Sequence, residues 1–239
     1  MPVFLTAEWR KLIMAQYEIK PKRLMPYLPA GLEFDLFQGR CYVSLVAFLF
    51  DRVRLKGFSI PFHTRFEEIN LRFYVKRREP DGSIKRGVVF IREFVPLATI
   101  ACVARSFYEE PYKAIPTRHR IQSQPGNLFV EYSWNLGGRL HSIAVNADPN
   151  PIDIAPGSEE EFITEHYWGY TKRSNGSTSA YEVQHPRWQT YKLHREKYRI
   201  AVDMGILYGP KFAFLTDTFV SSVLLAEGSS VSVLSGFSL

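Results

Sequence analysis

From Glu68 to Val75 the chain alternates without a break. Ile69, Leu71, Phe73 and Val75 fall on one face of an extended strand, and Glu68, Asn70, Arg72 and Tyr74 fall on the other. The apolar face is β-branched and aromatic, as a half-buried strand requires. The polar face lines up a carboxylate, an amide, a guanidinium and a phenol, at roughly 3.3 Å per residue. A wet face of an antiparallel sheet accounts for such a row. So does the wall of a closed cavity that binds a small polar molecule. The rest of the chain has to decide between these two readings.

Short strand-like runs recur on either side. They cover residues 12–19, 32–37, 41–50, 120–122, 128–134, 140–146, 165–170, 181–183, 188–193 and 221–234. Residues 87–95 come back after the turn Glu79-Pro80-Asp81-Gly82 as the hairpin partner of the central strand. Arg92 and Glu93 are neighbours in that partner and point to opposite faces, so one of them should reach inward. Residues 6–12 suit a short helix or the first strand. Residues 20–29 are broken by prolines and allow one or two helical turns. Residues 51–65 read as a long loop, and residues 98–107 as the best helix. Ser158 with Glu161 forms a capping box for a second short helix, Asn175-Gly176 marks a turn, and residues 201–207 suit strand or helix. Repeats, low-complexity tracts and linkers are missing. The expectation is one β-rich domain over 1–239, a barrel or two packed sheets.

Composition narrows the function. The chain is 46% apolar and 23% charged, as in an ordinary folded protein, and 15% aromatic, which favours sheet. Its formal charge of +6 is scattered, with the densest cluster, Lys76-Arg77-Arg78, beside a turn. No nucleic-acid-binding motif accompanies it, so no nucleic-acid partner is expected, and an anionic small substrate explains the balance equally well. Cys41 and Cys102 form no Cys-x-x-Cys pair, which leaves no zinc or dithiol site and suggests buried thiols in a reducing cytoplasm. No signal peptide, bilayer span or membrane partner is expected. The oligomeric state stays open, a homo-oligomer included.

Gly-rich phosphate loops, His-Glu-x-x-His and Gly-x-Ser-x-Gly are all missing, so nucleotide, metalloprotease and serine-hydrolase readings lose support. A second stretch carries more information. Residues 104–113, from Ala104 to Lys113, join the expected helix to a new segment. With the central strand they bring out a resemblance to a domain-of-unknown-function family in the acetoacetate decarboxylase-like superfamily. Its marks run along the chain: Glu8-Trp9-Arg10, Leu28-Pro29-Ala30-Gly31, Glu165-His166-Tyr167-Trp168-Gly169, His185-Pro186-Arg187-Trp188 and Ala226-Glu227-Gly228-Ser229. The resemblance implies a mostly β (α+β) fold, an acetoacetate decarboxylase-like β-barrel with a few short helices.

In the decarboxylase branch a segment reads Arg-Glu-x-x-Gly-x-Pro-Lys-Lys, and its first lysine forms a Schiff base with the keto acid. Here Arg105 matches the arginine and Pro111 the proline, while Ser106 and Glu109 replace the Glu and Gly. Tyr112 falls where the reactive lysine would be, and Lys113 matches the second lysine. The resemblance therefore implies the scaffold without its nucleophile. The candidate catalytic residues are Glu68, Tyr112 and Lys113. The candidate ligand-binding residues are Asn70, Arg72, Arg92, Arg105, His166 and Trp168, with one of the arginines holding a carboxylate. His166 and Trp168, two apart in a strand, should share a face of the same cavity.

Each residue also has a structural reading. Arg105 would cap a helix end, Tyr112 would be a packed aromatic, Lys113 would be solvated, and His166 would be a hydrogen-bonded core histidine. No metal or cofactor is implied. The function expected is binding, with or without transformation, of a small organic acid or carbonyl compound in the barrel. Its rivals are a non-catalytic ligand sensor or carrier, and a structural protein with a merely solvated polar face.

Overall fold

A computed structural model of the chain describes residues 1–102 and 111–239. Most of it is strand. In order these are β1 (Val3–Glu18), β2 (Glu33–Phe34), β3 (Tyr42–Leu55), β4 (Phe66–Arg78), β5 (Ile84–Val95), β6 (Tyr112–Ala114), β7 (Thr117–Gln124), β8 (Asn127–Leu136) and β9 (Arg139–Asp153). After helix α1 (Glu159–Thr164) come β10 (Trp168–Lys172), β11 (Thr178–Gln184) and β12 (Gln189–Ala201), then helix α2 (Met204–Tyr208), β13 (Ser222–Leu234) and β14 (Phe237–Ser238). Three short 3-10 stretches complete the helical content among the described residues, apart from a helix that opens at 98–102. No helix is long and apolar enough to cross a membrane among the described residues.

These strands join one 14-stranded sheet. Its path runs β14-β11-β10-β5-β4-β3-β1-β13-β12-β9-β8-β7, and β11 also pairs with β13. That extra pairing brings β11-β10-β5-β4-β3-β1-β13 back on itself as a broadly barrel-like ring. The strands beyond β13 fold over the ring's outside, where Val130, Tyr132, Ile143 and Val145 share a core with Ile69, Leu71 and Phe73 of β4. A second core fills the inside, with Leu12 and Met14 from β1, Phe48 from β3, Tyr181 from β11 and Leu224 from β13. The apolar face of β4 therefore looks outward to the covering layer, and its polar face looks into the ring.

Several local expectations change once the strands pair. Residues 6–12 are strand throughout, because β1 is hydrogen-bonded on both edges, to β3 and to β13. The strand bulges at Lys11, which adopts φ 54°. Gly228 (φ 79°) lies against this bulge so closely that a Cβ there would stand 2.0 Å from the Trp9 carbonyl oxygen. No side chain fits, which explains the glycine at the expected bend. The loop expected from residue 51 begins later, because β3 continues to Leu55 and pairs it with Leu5. The strand expected from residue 165 starts only at Trp168. Residues 201–207 divide, with β12 ending at Ala201 and α2 starting behind Asp203, whose side chain accepts from Ile206 N. Cys41 is buried as expected and Cys102 is exposed.

The capping box at α1 forms on one side. Ser158 accepts from Glu161 N, while the Glu161 carboxylate accepts from Gly157 N. Of the helix expected at 98–107, residues 98–102 are helical, and residues 103–107 lie outside the described residues.

Candidate functional site

The polar face of β4 is buried. Glu68 is 3% exposed, Asn70 1% and Arg72 9%. All three line one cavity of about 390 Å³ inside the ring, together with Glu93 of β5 and Tyr112 of β6. The hairpin of β4 with β5 places Glu93 opposite Asn70, and the parallel pairing of β5 with β6 sets Tyr112 beside Glu93. Strand alternation thus delivers each polar side chain to one interior spot.

Glu68 is the centre of the arrangement. Asn70 Nδ2 donates to its Oε1 at 2.9 Å, and the Tyr112 hydroxyl donates to its Oε2 at 2.9 Å. Burial pushes its carboxyl up to about 7, against the opposing pull of those two hydrogen bonds and of the Arg72 guanidinium. Arg72 reaches only soft or neutral acceptors: its Nη2 points at Met14 Sδ (3.9 Å) and at the Ile163 carbonyl (3.5 Å). It forms no ion pair with a carboxylate among the described residues, and its Nε is buried without a partner. Asn70 Oδ1 and Trp9 Nε1 are also buried and unpartnered. All three of these residues belong to the cavity wall. Buried polar atoms are normally paired, so a cluster of unpaired ones around a cavity marks a place where a polar guest fits.

Tyr112 is half-buried and points inward, while Lys113, the next residue in β6, is exposed. Arg92 does not reach the cavity. It lies on the outer face of β5 and donates to the Leu207 carbonyl at 2.7 Å, where it caps the end of α2. Glu93, its neighbour, is the one that faces inward.

His166 and Trp168 do not share a cavity wall. Trp168 packs outside the ring, with Lys85 4.5 Å over its ring and Phe237 against its edge. His166 precedes β10 and is packed between Tyr74 and Phe162, with Nε2 3.2 Å from Asp35 Oδ2. Burial pushes its imidazole down to about 4. The ring is therefore neutral at pH 7 and gives its Nε2 proton to Asp35, so the charged pair of that cluster is Asp35 with Arg86. Arg105 lies outside the described residues. The apolar wall, including Trp9, Phe48, Phe50 and Phe66, was not singled out as a site feature. The inward positions of 46, 48 and 50 in β3 were the available signal, hidden because that strand is apolar on both faces.

Among the described residues, no group of three or more His, Cys, Asp or Glu side chains is placed to hold a metal ion. The site gathers two buried carboxyl groups, a phenol, an amide and a guanidinium around one cavity.

Fold and site together define the class: a protein with the acetoacetate decarboxylase-like fold. The chain belongs to the DUF2071 family, described as an uncharacterized conserved protein, whose model matches residues 6–230. It is 27% identical over 181 residues to the uncharacterized protein YqjF of Bacillus subtilis (strain 168), covering 75% of this chain and 72% of that one. Among solved structures it is similar to the enduracididine biosynthesis enzyme MppR, complexed with the condensation product of pyruvate and imidazole 4-carboxaldehyde. That match has a TM-score of 0.65 at 13% identity, over 100% of this chain and 90% of the other. Acetoacetate decarboxylase from Legionella pneumophila matches with a TM-score of 0.63 at 10% identity, over 100% and 88%. An acetoacetate decarboxylase-like enzyme from Sphingomonas wittichii RW1 matches with a TM-score of 0.65 at 11% identity, over 100% and 94%. At these identities the likeness shows the fold alone.

Proposed function

We propose that the cavity binds a small organic acid or carbonyl compound, and that Glu68 and Tyr112 are placed to move a proton on it. The observation that carries this reading is Arg72, a buried guanidinium without a carboxylate partner among the described residues, in the wall of a cavity. A ligand carboxylate would supply the missing charge, and the guanidinium fork suits it. Glu68, raised to about 7, is available in both protonation states near neutrality, as a general acid or base must be. Tyr112 and Asn70 hold it in place. Arg105 is a second proposed contact to the acid.

The chemistry proposed does not pass through an imine. Tyr112 occupies the inward position, and a phenol cannot condense with a ketone, while Lys113 is exposed. The test is a thermal-shift screen over keto acids and hydroxy acids, with turnover of any hit followed by product analysis. A ligand that binds the folded form alone raises the apparent stability. At least one acid should raise Tm in the native protein and fail to do so in Arg72→Gln. A screen in which no acid shifts Tm sinks the reading. Binding without turnover would assign a carrier or sensor rather than an enzyme.

A further inference from the structure

We infer that the ligand is amphipathic: a carboxylate head bound at Arg72 and Glu68, and an alkyl or aryl tail that runs along the ring toward the loop between β3 and β4. This rests on the acid-binding reading above and names its ligand class.

Strand register sets the order of the cavity's lining. Across β3 and β4, Phe50 stands opposite Phe66, Phe48 opposite Glu68, and Ser44 opposite Arg72. From Phe66 to Arg72 the strand advances roughly 20 Å at about 3.3 Å per residue. On β1, Trp9 is level with Phe50, and Leu5 is level with both Leu55 of β3 and Val233 of β13. The lining is therefore layered. Arg72, Asn70 and Glu68 form one end. Phe66, Phe50 and Trp9 form the middle, with the Phe50 and Phe66 rings stacked at 4.8 Å. Leu5, Leu55 and Val233 form the other end. The charged side chains of the lining, Glu68, Arg72 and Glu93, all lie at the first end, flanked there by Phe48 and Phe90, while His63 and Thr99 line the cavity with Phe58 and Ile60 at the other.

The apolar end opens at the turn Lys56-Gly57 (φ 48° and 86°), which is closed by a bridge from Leu55 to Phe58. Phe58 and Ile60 line the cavity there while remaining 75% and 45% exposed. Large apolar side chains left open at the rim of a cavity mark a place that a guest covers. The cavity volume, about 390 Å³, lies within the range of about 300–1,000 Å³ seen for pockets that take drug-sized ligands. A short keto acid would satisfy Arg72 and leave the apolar layers uncovered. Each added methylene moves from water onto those layers, which should tighten binding roughly four-fold.

The experiment is calorimetric titration of the full chain with straight-chain 2-oxo acids, from pyruvate to 2-oxohexadecanoate, repeated on Leu55→Trp. Leu55 is half-buried at the open end, so the larger ring narrows the tail path without entering the core. The expected result is affinity that rises several-fold per methylene until the tail fills the apolar layers, with 2-oxohexadecanoate weakened at least tenfold by Leu55→Trp and the shortest bound acid changed less than two-fold. Affinity that is flat or falls with chain length, yet still depends on Arg72, overturns the tail assignment and leaves the acid site standing. Equal weakening of short and long acids by Leu55→Trp also overturns it. Failure of every acid to bind sinks the acid-binding reading itself. If Leu55→Trp does not fold, the length series on the native chain decides alone.

Discussion

Glu67 and Glu68 are consecutive in β4, both buried, and end in opposite electrostatic conditions. Glu67 looks outward to the covering layer, where His119 Nδ1 lies 2.5 Å from its Oε1 and Thr117 Oγ1 donates to its Oε2 at 2.7 Å. Burial alone would raise its carboxyl, but those hydrogen bonds outweigh it and hold the group below the ordinary carboxylate range. Glu68 looks into the ring, where burial wins and the carboxyl rises to about 7. Asp35 repeats the outer pattern: burial is outweighed by hydrogen bonds from His166 and Arg86, and its carboxyl stays low. The contrast separates two uses of a buried acid. At Glu67 and Asp35 the fold supplies the partners and the acid is structural. At the Glu68 end of the cavity the fold gives Arg72 no direct ion pair with a carboxylate among the described residues.

The largest effect that tests this contrast is the pH dependence of stability. Glu68 titrates higher in the folded chain than its ordinary value of 4.5, so the folded state holds an extra proton between about pH 4.5 and 7. Stability present below pH 4.5 is lost as pH rises through 7, by an amount on the order of 3 kcal/mol at most. Glu68→Gln mimics the protonated acid. In urea titrations the native protein should weaken relative to this variant from pH 5 to pH 8. His166, pushed down to about 4, contributes the opposite slope between 4 and its ordinary 6.5, and this cancels in the comparison because both proteins carry it. Parallel curves for the two proteins would put Glu68 in the same class as Glu67.

Arg72→Gln comes next. It should cost about a hundredfold in affinity for any acid found to bind, since a charge-assisted contact to a buried ligand is lost. Its unfolding midpoint should change little or rise, because a buried cation with no ion-pair partner among the described residues is removed. Unchanged affinity would remove the guanidinium from the site.

Glu67→Gln is the control from the outer face. It should destabilise by about 1–2 kcal/mol through the weakened bonds to His119 and Thr117, and leave ligand affinity within two-fold. A tenfold loss of affinity would erase the distinction between the two faces.

The smallest effect is expected at Lys113. Lys113→Ala on the exposed side of β6 should shift stability by less than about 0.5 kcal/mol. Borohydride treatment with acetoacetate should leave no adduct at this position in the intact-mass spectrum of the native protein. An adduct on Lys113 that vanishes in the alanine variant would restore the imine mechanism.

Much of β4 is legible in the sequence alone. A period of two assigns Glu68, Asn70 and Arg72 to one face and Ile69, Leu71 and Phe73 to the other, because backbone pleating leaves no other choice. The same rule separates Tyr112 from Lys113 and Arg92 from Glu93. Glycine and proline marked most turns, and Ser158 marked the start of α1. What a face meets is a different matter, since it depends on partners far away in the chain. The pairing of β11 with β13 curls the sheet, so the polar face of β4 looks into an interior and the apolar face outward to β8 and β9. It also decides that Glu93 rather than Arg92 points inward, and that His166 meets Asp35 instead of the cavity. Trp9, Phe48 and Phe50 become a cavity wall only once β1 and β3 close beside β4. Local alternation is enforced by the covalent geometry of the strand, whereas closure is chosen by pairings such as Val183 with Val233 and Arg10 with Gly228, whose partners lie 50 and 218 positions apart and which no short window contains.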